Sequence, residues 1–442
     1  MKNRTLFILT ITTICVSTPS AAVYTGTEGT SVVKILKADG RFEIRVNGQP
    51  FFINGAGGMR NLDALVRAGG NSVRSWRSSK TDLNKAHENG LMVCMGLSLA
   101  LPRHGADYND TEMLNRQREK IRKEVIALKN HPALLIWGIG NEVEHHASKE
   151  DRILVWKEIN RIAEMIKRLD KNHLVITVIA GLGNESSESG KKLKDIEKYC
   201  PGLDAIGINS YGGLPSVPNE VERQGWKKPY IITEFGPRGW WEVARTPWGL
   251  PIEDTSTQKA QFYYQSYMAG IANKSNCLGS FVFLWGNKQE KTHTWFCLFL
   301  PDGSPTEMID AMIRAWTGNW PDNRSPTIEA KGVEVISHKN EQHIYKTMEK
   351  ITCKIHASDP DGDRMTIKWD LRKDVSDHPG TGGDREDRTP PIEGAIDLAV
   401  NATATINLPQ EEGNYRVFVY VFDPSGKVAT ANLPIKVQAV PE

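Results

Sequence analysis

The sequence contains little cysteine and lacks the residue spacings that bind structural zinc. It has six cysteines, no Cys-x-x-Cys pair and no His/Cys group with zinc-site spacing. If the N-terminal segment described below is removed, five cysteines remain, so at least one of them is unpaired. A structural zinc site is therefore not expected, and any disulfide pattern stays open.

A strong net charge is also missing. The 55 Lys and Arg residues nearly balance the 53 Asp and Glu residues, which gives a formal net charge of +2. No nucleic-acid-binding or membrane-binding surface is expected from such a balance. Beyond the N-terminus no segment is long and apolar enough to cross a bilayer. The 442 residues suffice for one large domain and a smaller one.

The N-terminus has the three parts of a secretory signal peptide. Lys2 and Arg4 form a basic start, Leu6–Val16 is apolar but too short to span a membrane, and Ser20–Ala22 offers small residues for cleavage. We predict a signal peptide over residues 1–22 and a secreted or periplasmic protein. An uncleaved anchor is the alternative.

After a polar leader over residues 23–40, strand-like runs alternate with charged, helix-like segments over residues 41–317. The chain enters this region through a hairpin that turns at Asn47–Gly48. The eight predicted strands are Pro50–Asn54, Asn71–Trp76, Leu91–Ala100, Ala133–Gly140, Leu174–Ala180, Leu203–Tyr211, Tyr230–Glu234 and Leu278–Trp285. Eight such units predict an α/β fold, a closed (β/α)8 TIM barrel. A doubly wound open sheet is the alternative, but no Gly-rich dinucleotide loop follows the first strand.

The pattern changes after residues 318–326, a linker rich in Pro, Gly and Asn. Residues 327–442 read as short alternating strands separated by turns, which predicts a small C-terminal immunoglobulin-like β-sandwich. The charged, Gly-rich tract Asp377–Pro391 is predicted to be a loop. Because its strands carry no evident chemistry, we expect an accessory domain that can be removed near Pro321 without loss of activity on small substrates.

Two glutamates follow buried strands in the same way. Glu142 comes two residues after the apolar run 133–140, and Glu234 comes directly after the run 230–233. Parallel barrels keep their active sites at the carboxyl ends of the strands. A pair of carboxyl groups there is what glycoside hydrolysis needs, because one protonates the leaving oxygen and the other attacks or assists at the anomeric carbon.

Several motifs in the same order resemble the catalytic barrels of clan A glycoside hydrolases, nearest to families 2 and 5. The motifs are Phe42–Gly55, Asn71–Arg74, Asn130–Glu142, Asp204–Tyr211, Thr233–Gly236 and Phe283–Trp285. The resemblance implies a retaining mechanism, with Glu142 as acid/base and Glu234 as nucleophile.

Five further residues are predicted to bind substrate or support the glutamates: Arg74, Asn141, Tyr211, Trp240 and Trp285. Arg74 and Tyr211 could keep Glu234 ionised by charge and hydrogen bonding. A structural ion pair is the alternative for Arg74. Trp285 ends a strand and is expected to offer a flat face to a sugar, although core packing is the usual place for Trp.

No metal and no cofactor are expected. The run Glu144–His146 has no evident third ligand, so we interpret it as a solvated loop. Asp359–Asp363 has its Gly at the wrong place for an EF-hand and is interpreted as a turn.

These patterns together predict a secreted retaining β-glycosidase acting on an oligosaccharide or polysaccharide. A transglycosylase, with a sugar hydroxyl in place of water, is one alternative. A non-catalytic carbohydrate-binding barrel is another, although it would be expected to lose one of the two glutamates.

Overall fold

A computed structural model of the chain describes residues 29–183, 192–337, 341–377 and 386–439. The predicted signal peptide lies outside the described residues, as do parts of the predicted leader and of the tract Asp377–Pro391. Within the described residues no helix combines the length and the apolarity that a membrane span requires.

A small antiparallel sheet closes the amino-terminal end of the barrel. Its strands are β1 (Val33–Ala38), β2 (Arg41–Val46) and β3 (Gln49–Phe51). The turn at Asn47–Gly48 has positive φ at both residues, as the Asn-Gly pair predicts. The predicted leader thus supplies strand β1. Its Val33 amide donates to the Asn172 carbonyl just before a barrel strand begins, which places this sheet at the amino-terminal end of the barrel.

Eight parallel strands close into a barrel in the order β10-β11-β4-β5-β6-β7-β8-β9. They are β4 (Ile53–Gly57), β5 (Ser72–Arg74), β6 (Met92–Leu97), β7 (Leu134–Ile139), β8 (Leu174–Ala180), β9 (Ala205–Asn209), β10 (Tyr230–Phe235) and β11 (Cys277–Val282). The closed barrel confirms the predicted fold and excludes the open sheet. The first barrel strand begins at Ile53 rather than Pro50, because Gln49–Phe51 pairs with the hairpin instead.

A helix follows each barrel strand. The helices are α1 (Leu62–Arg67), α2 (Lys80–Glu88), α3 (Thr111–Leu128), α4 (Lys149–Leu169), α5 (Lys192–Tyr199), α6 (Val217–Arg223), α7 (Ser256–Gly270) and α8 (Glu307–Thr317).

The longest of them, α4, shows why these segments are helical. Ser148 caps its first turn by accepting a backbone amide hydrogen bond at 3.0 Å. Val155, Ile159, Ile162 and Ile166 recur on one face and are fully buried in the barrel core. Burial of each such side chain stabilises the fold by about 1.5–3 kcal/mol.

Two four-stranded sheets, with orders β13-β15-β19-β18 and β14-β21-β20-β17, and a two-stranded sheet, β12-β16, form the C-terminal domain. The strands of the domain are β12 (Thr327–Ile328), β13 (Glu334–Val335), β14 (Ile344–Lys346), β15 (Lys350–Lys354), β16 (Ala357–Ser358), β17 (Thr366–Lys373), β18 (Ile396–Val400), β19 (Thr403–Asn407), β20 (Gly413–Phe422) and β21 (Val428–Gln438). Side chains of both sheets, such as Ile351 and Val419, share one buried core, so the sheets pack face to face. This confirms a sandwich; its immunoglobulin-like type stays a prediction.

The sandwich packs directly against the barrel. Leu300 of the barrel is buried against Phe418, Tyr420 and Val428 of the sandwich. Lys427 Nζ lies 2.7 Å from Asp310 Oδ1 on α8, and both side chains are largely buried. The two domains therefore share apolar and ionic contacts across the linker.

Candidate active site

Both glutamates lie at the carboxyl ends of barrel strands. Glu142 comes just after β7 and has a φ of 51°, which is uncommon for a residue with a side chain. Its amide donates to the Val178 carbonyl of β8 at 2.9 Å, which fixes this turn. Gly140 is required there, because its φ is 69° and an added Cβ would lie 2.5 Å from a methyl of Val143. Glu234 is part of β10.

Three donors hold the carboxylate of Glu234. Arg74 NH1 lies 2.8 Å and Trp76 Nε1 lies 3.0 Å from its Oε1, and the Tyr211 hydroxyl donates to Oε2 at 2.9 Å. The Glu234 side chain is 9% exposed, and that of Arg74 is 3% exposed. Donors on both oxygens and a buried guanidinium stabilise the ionised form, which a nucleophile requires.

Glu142 has a different environment. Burial, and then the charge of Glu234, raise the pKa of Glu142 to about 7. Glu144 raises this pKa further, while a hydrogen bond from Asn209 Nδ2 to Glu142 Oε1 at 2.8 Å and the charge of Arg74 lower it. A carboxyl group with such a pKa can still carry its proton near neutral pH, as a general acid must.

A hydrogen-bond network joins the two carboxyl groups. Arg74 NH2 donates to Asn141 Oδ1 at 2.6 Å, and Asn209 Nδ2 lies 3.3 Å from the same oxygen. Thr233 in turn donates to Asn209 Oδ1 at 2.8 Å. The structure thus brings Glu142, Asn141, Arg74 and Tyr211 together around Glu234.

Residues 85–238, which contain both glutamates, match the family described as "Glycosyl hydrolases family 2, TIM barrel domain". The chain resembles the clan A glycoside hydrolases. It is 24% identical over 255 residues to the beta-glucuronidase of Chlorocebus aethiops. This alignment covers 49% of this chain and 35% of that protein. It is 22% identical over 242 residues to a probable mannan endo-1,4-beta-mannosidase A of Aspergillus clavatus. This alignment covers 51% of this chain and 66% of that protein.

A solved structure, the Bacteroides uniformis beta-glucuronidase, aligns with a TM-score of 0.48 at 14% identity and covers 92% of this chain and 48% of that one. The chain thus spans less than two thirds of the length of each of these relatives.

Trp285 does not have the surroundings predicted for it in this clan A-like barrel. Its side chain is 1% exposed, its Nε1 donates to the Asn61 carbonyl at 3.0 Å, and its ring packs beside Phe299 and Trp316. A ring enclosed in this way is part of the core and has no free face for a sugar. The prediction failed because the chain leaves β11 at Val282 and has turned away before residue 285.

Other aromatic side chains surround the glutamates instead. Phe283 packs edge-on against Trp76 and Tyr211, with ring centroids 5.9 and 6.1 Å apart. Phe283 forms a cluster with Trp76, Tyr211, Trp240, Val243, Leu284, Trp295 and Phe296.

The two tryptophans after the nucleophile motif differ in exposure. Trp240 is partly buried, donates to Glu290 Oε1 at 3.2 Å and has Lys291 Nζ 4.5 Å from its ring centroid. Trp241 is 48% exposed and packs edge-on against Tyr211 at 5.6 Å. Trp240 thus lies beside the site, and its contact with substrate stays a prediction, while Trp241 offers more surface to a ligand.

Sequence reasoning missed Trp76, Asn209 and Glu290. Trp76 follows the end of β5 and Asn209 ends β9, so their positions at carboxyl ends of strands were a usable signal. No such signal pointed to Glu290, because it lies in a long segment between β11 and α8 and not at a strand end.

Neither acidic motif weighed in the sequence is part of this site. Glu144 Oε1 accepts from Lys192 Nζ at 3.0 Å and from the Ala180 amide at 2.9 Å, and burial lowers the pKa of His145 to about 4. Glu144 is therefore engaged in a buried ion pair.

Asp359 does form the expected turn, accepting the Asp361 and Asp363 amides at 2.9 and 3.1 Å. Among the described residues, the carboxylates of Asp359, Asp363 and Asp423 also approach within 4.8 Å of one another. Hard oxygen ligands of this kind could hold a cation such as Ca²⁺ in the sandwich. The sequence did not reveal this grouping, because Asp423 comes from the far end of β20.

Proposed function

We propose that this protein hydrolyses β-linked glycosides with net retention, using Glu234 as nucleophile and Glu142 as acid/base. The observation that carries the proposal is the difference between the two carboxyl environments. Glu234 is held by three donors that favour the charged form, whereas burial and the charge of Glu234 raise the pKa of Glu142 to about 7. Divergent environments of this kind assign acid and nucleophile roles.

In the first step Glu142 donates its proton to the glycosidic oxygen while Glu234 attacks the anomeric carbon. Tyr211 and Trp76 orient the attacking carboxylate through its two oxygens. In the second step Glu142, now ionised, takes a proton from water, which attacks the anomeric carbon and releases Glu234. Two inversions return the β configuration.

Asn141 and Trp241 are proposed to bind the substrate. The side-chain oxygen of Asn141 already accepts from Arg74, so its amide NH2 group is the part suited to donate to a sugar hydroxyl. The exposed ring of Trp241, beside Tyr211, suits the apolar face of a sugar.

The sugar is the open part of the proposal. The relatives are named for β-glucuronide and β-1,4-mannan cleavage. A panel of aryl β-glucuronides, β-mannosides, β-glucosides and β-galactosides, with mannan and glucan oligosaccharides, covers both possibilities. The first product anomer, followed by NMR before mutarotation, tests the mechanism. We expect the β anomer; initial release of the α anomer would contradict retention, and no cleavage of any member would contradict the function.

The same assay, repeated with added acceptor sugar, separates hydrolysis from transglycosylation. We expect free sugar as the main product. A predominance of longer glycosides at low acceptor concentration would assign a transglycosylase.

We also propose that the protein is exported. The basic start, the apolar run Leu6–Val16 and the small residues Ser20–Ala22 support this. The intact mass of the protein from its native source tests it. We expect a mature chain that begins at Val23, and a retained Met1 would contradict export by cleavage.

A further inference from the structure

The segment between β11 and α8 forms part of the wall around the two glutamates. We call residues 286–296 the rim segment. Phe296, at its end, packs against Tyr211 with ring centroids 5.3 Å apart. Glu290, in its middle, accepts the Trp240 indole hydrogen bond at 3.2 Å. The course of the rim segment therefore sets the position of Trp240 and supports the tyrosine that holds Glu234.

Glu386 and Arg388 of the C-terminal sandwich, which precede β18 in the chain, contact this rim segment. Glu386 Oε2 accepts the backbone amide of Lys291 at 2.7 Å, and Glu386 Oε1 lies 3.9 Å from Lys291 Nζ. Arg388 donates to Asn287 Oδ1. The contact between Glu386 and Lys291 is sheltered, since their side chains are 19% and 2% exposed. A sheltered hydrogen bond to a charged acceptor is stronger than a neutral one.

Lys291 carries the contact onward to the site. Its ammonium lies 4.5 Å from the Trp240 ring centroid, within the range of a cation–π interaction. Glu290, the other residue that contacts Trp240, is held by an ion pair: Lys288 Nζ lies 2.6 Å from Glu290 Oε2. Glu386 is thus two contacts away from an aromatic side chain of the candidate active site.

The far end of the rim segment is held differently. Lys259 Nζ donates to the Thr294 carbonyl at 2.8 Å, and Thr292 donates to Glu253 Oε2 at 2.7 Å. His293 Nε2 lies 2.7 Å from the Tyr420 hydroxyl of the sandwich. Loss of Glu386 should therefore loosen residues 287–291 and leave 292–296 in place.

We propose that Glu386 of the C-terminal sandwich is a positioning residue for the substrate cleft, acting through Lys291 on Trp240. The sandwich then contributes to substrate recognition, although it supplies no residue that touches the reacting atoms. The inference rests on the proposed function, because it concerns the cleft of the same site.

Kinetics of three variants test it: Glu386→Ala, Glu386→Gln and Glu411→Ala. Glu411 is a matched control, since it is an exposed sandwich carboxylate paired with Lys373. A misplaced substrate-positioning group can cost up to about a hundredfold. We expect Glu386→Ala to lower kcat/KM roughly tenfold or more, mainly through KM, with an unfolding temperature like that of the control. Glu386→Gln should recover most of the loss, because its amide oxygen can accept from the Lys291 amide. Wild-type kinetics in Glu386→Ala would overturn the proposal.

Hydrogen exchange of the same variants gives a result that does not depend on activity. In Glu386→Ala, peptides covering 287–291 and 239–242 should exchange faster than in wild type, and those covering 292–296 should not. Unchanged exchange at both 287–291 and 239–242 would overturn the inference even if the wild type is an active glycosidase. A wild type inactive on every glycoside, with the expected exchange pattern, would instead refute the proposed function alone.

Discussion

At the scale of single residues, Glu142 and Glu234 are distinguished by their neighbours. Glu234 accepts hydrogen bonds from Arg74, Trp76 and Tyr211, while Glu142 receives one from Asn209. The surrounding side chains thus give two residues of the same type different environments, which is the basis for the different roles proposed for them.

The raised pKa of Glu142 predicts the pH dependence of cleavage. Because burial and the Glu234 charge raise this pKa to about 7, Glu142 keeps its proton up to that pH and loses it above. For a substrate with a poor leaving group, kcat/KM should therefore fall as pH rises through about 7. A dinitrophenyl glycoside, which needs little protonation, should show a weaker decline. Identical profiles, or a decline centred near the ordinary Glu pKa, would contradict the acid role.

Two tryptophans should respond oppositely to substitution. Trp285→Ala removes a fully buried ring and should lower the free energy of unfolding by about 3–5 kcal/mol. Trp241→Ala removes an exposed ring, so stability should change by less than about 0.5 kcal/mol. KM should instead rise about three- to tenfold, given about 0.5–1.5 kcal/mol for an aromatic contact. Thermal unfolding and steady-state kinetics of both variants check this; a stable Trp285→Ala with a raised KM would restore the predicted sugar platform.

The positions of candidate site residues were predictable from the sequence where a strand end fixes them, whereas their roles stay predictions. Glu142, Glu234 and Tyr211 follow or end buried strands, and the closed barrel brings such ends together. The prediction for Trp285 failed because two turn residues separate it from β11, and sequence periodicity does not report the direction of a turn.

At the scale of elements, glycines allow the barrel strands to approach one another near the site. An added Cβ on Gly96 of β6 would lie 2.4 Å from the carbonyl carbon of Trp76 and 2.6 Å from the Ser75 oxygen. Gly138 of β7 is a matched control, because its Cβ would meet nothing closer than 3.7 Å.

Gly96→Ala should therefore displace Trp76 from Glu234, whereas Gly138→Ala should be tolerated. We expect Gly96→Ala to lose about 1–3 kcal/mol of stability through overpacking and up to about a hundredfold in kcat through the displaced indole. Chemical denaturation and kinetics of the two variants measure this. Equal behaviour of Gly96→Ala and Gly138→Ala would show that the Trp76 position does not matter.

The existence of the barrel strands was predictable from the sequence, whereas that of the shortest sandwich strands was not. Each barrel strand overlaps a predicted strand, and runs such as Leu134–Ile139 were readable because strands buried on both faces are apolar along most of their length. In the sandwich, β13 and β14 are only two and three residues long and have no pattern to read. They form because longer neighbouring strands offer free backbone groups.

At the scale of the whole molecule, the contacts between sandwich and barrel reverse the expectation that the sandwich is dispensable. A chain ending at Pro321 would expose Leu300, which is 4% exposed in the intact protein. It would also leave the buried Asp310 without the Lys427 ammonium. Loss of one partner of a buried pair costs about 3–5 kcal/mol.

The truncated chain should therefore unfold at a lower temperature and give less soluble protein, with reduced kcat/KM on an aryl β-glycoside. The contribution of the Lys427–Asp310 pair to stability is measured with Lys427→Ala. Lys373→Ala, which breaks an exposed ion pair, is its control. A truncated barrel with the stability and activity of the intact protein would restore the interpretation of a dispensable domain.

The assignment of the two glutamates is tested most directly by azide rescue of their alanine variants on an activated aryl β-glycoside. Glu142→Ala should still form the glycosyl-enzyme but should not hydrolyse it, because no base activates water. Azide should then attack the intermediate and give a β-glycosyl azide. Glu234→Ala cannot form the intermediate, so azide should displace the leaving group directly and give an α-glycosyl azide. NMR of the products distinguishes the anomers. Exchanged anomers would reverse the roles, and near-normal turnover of an unactivated substrate by either variant would contradict the two-carboxylate mechanism.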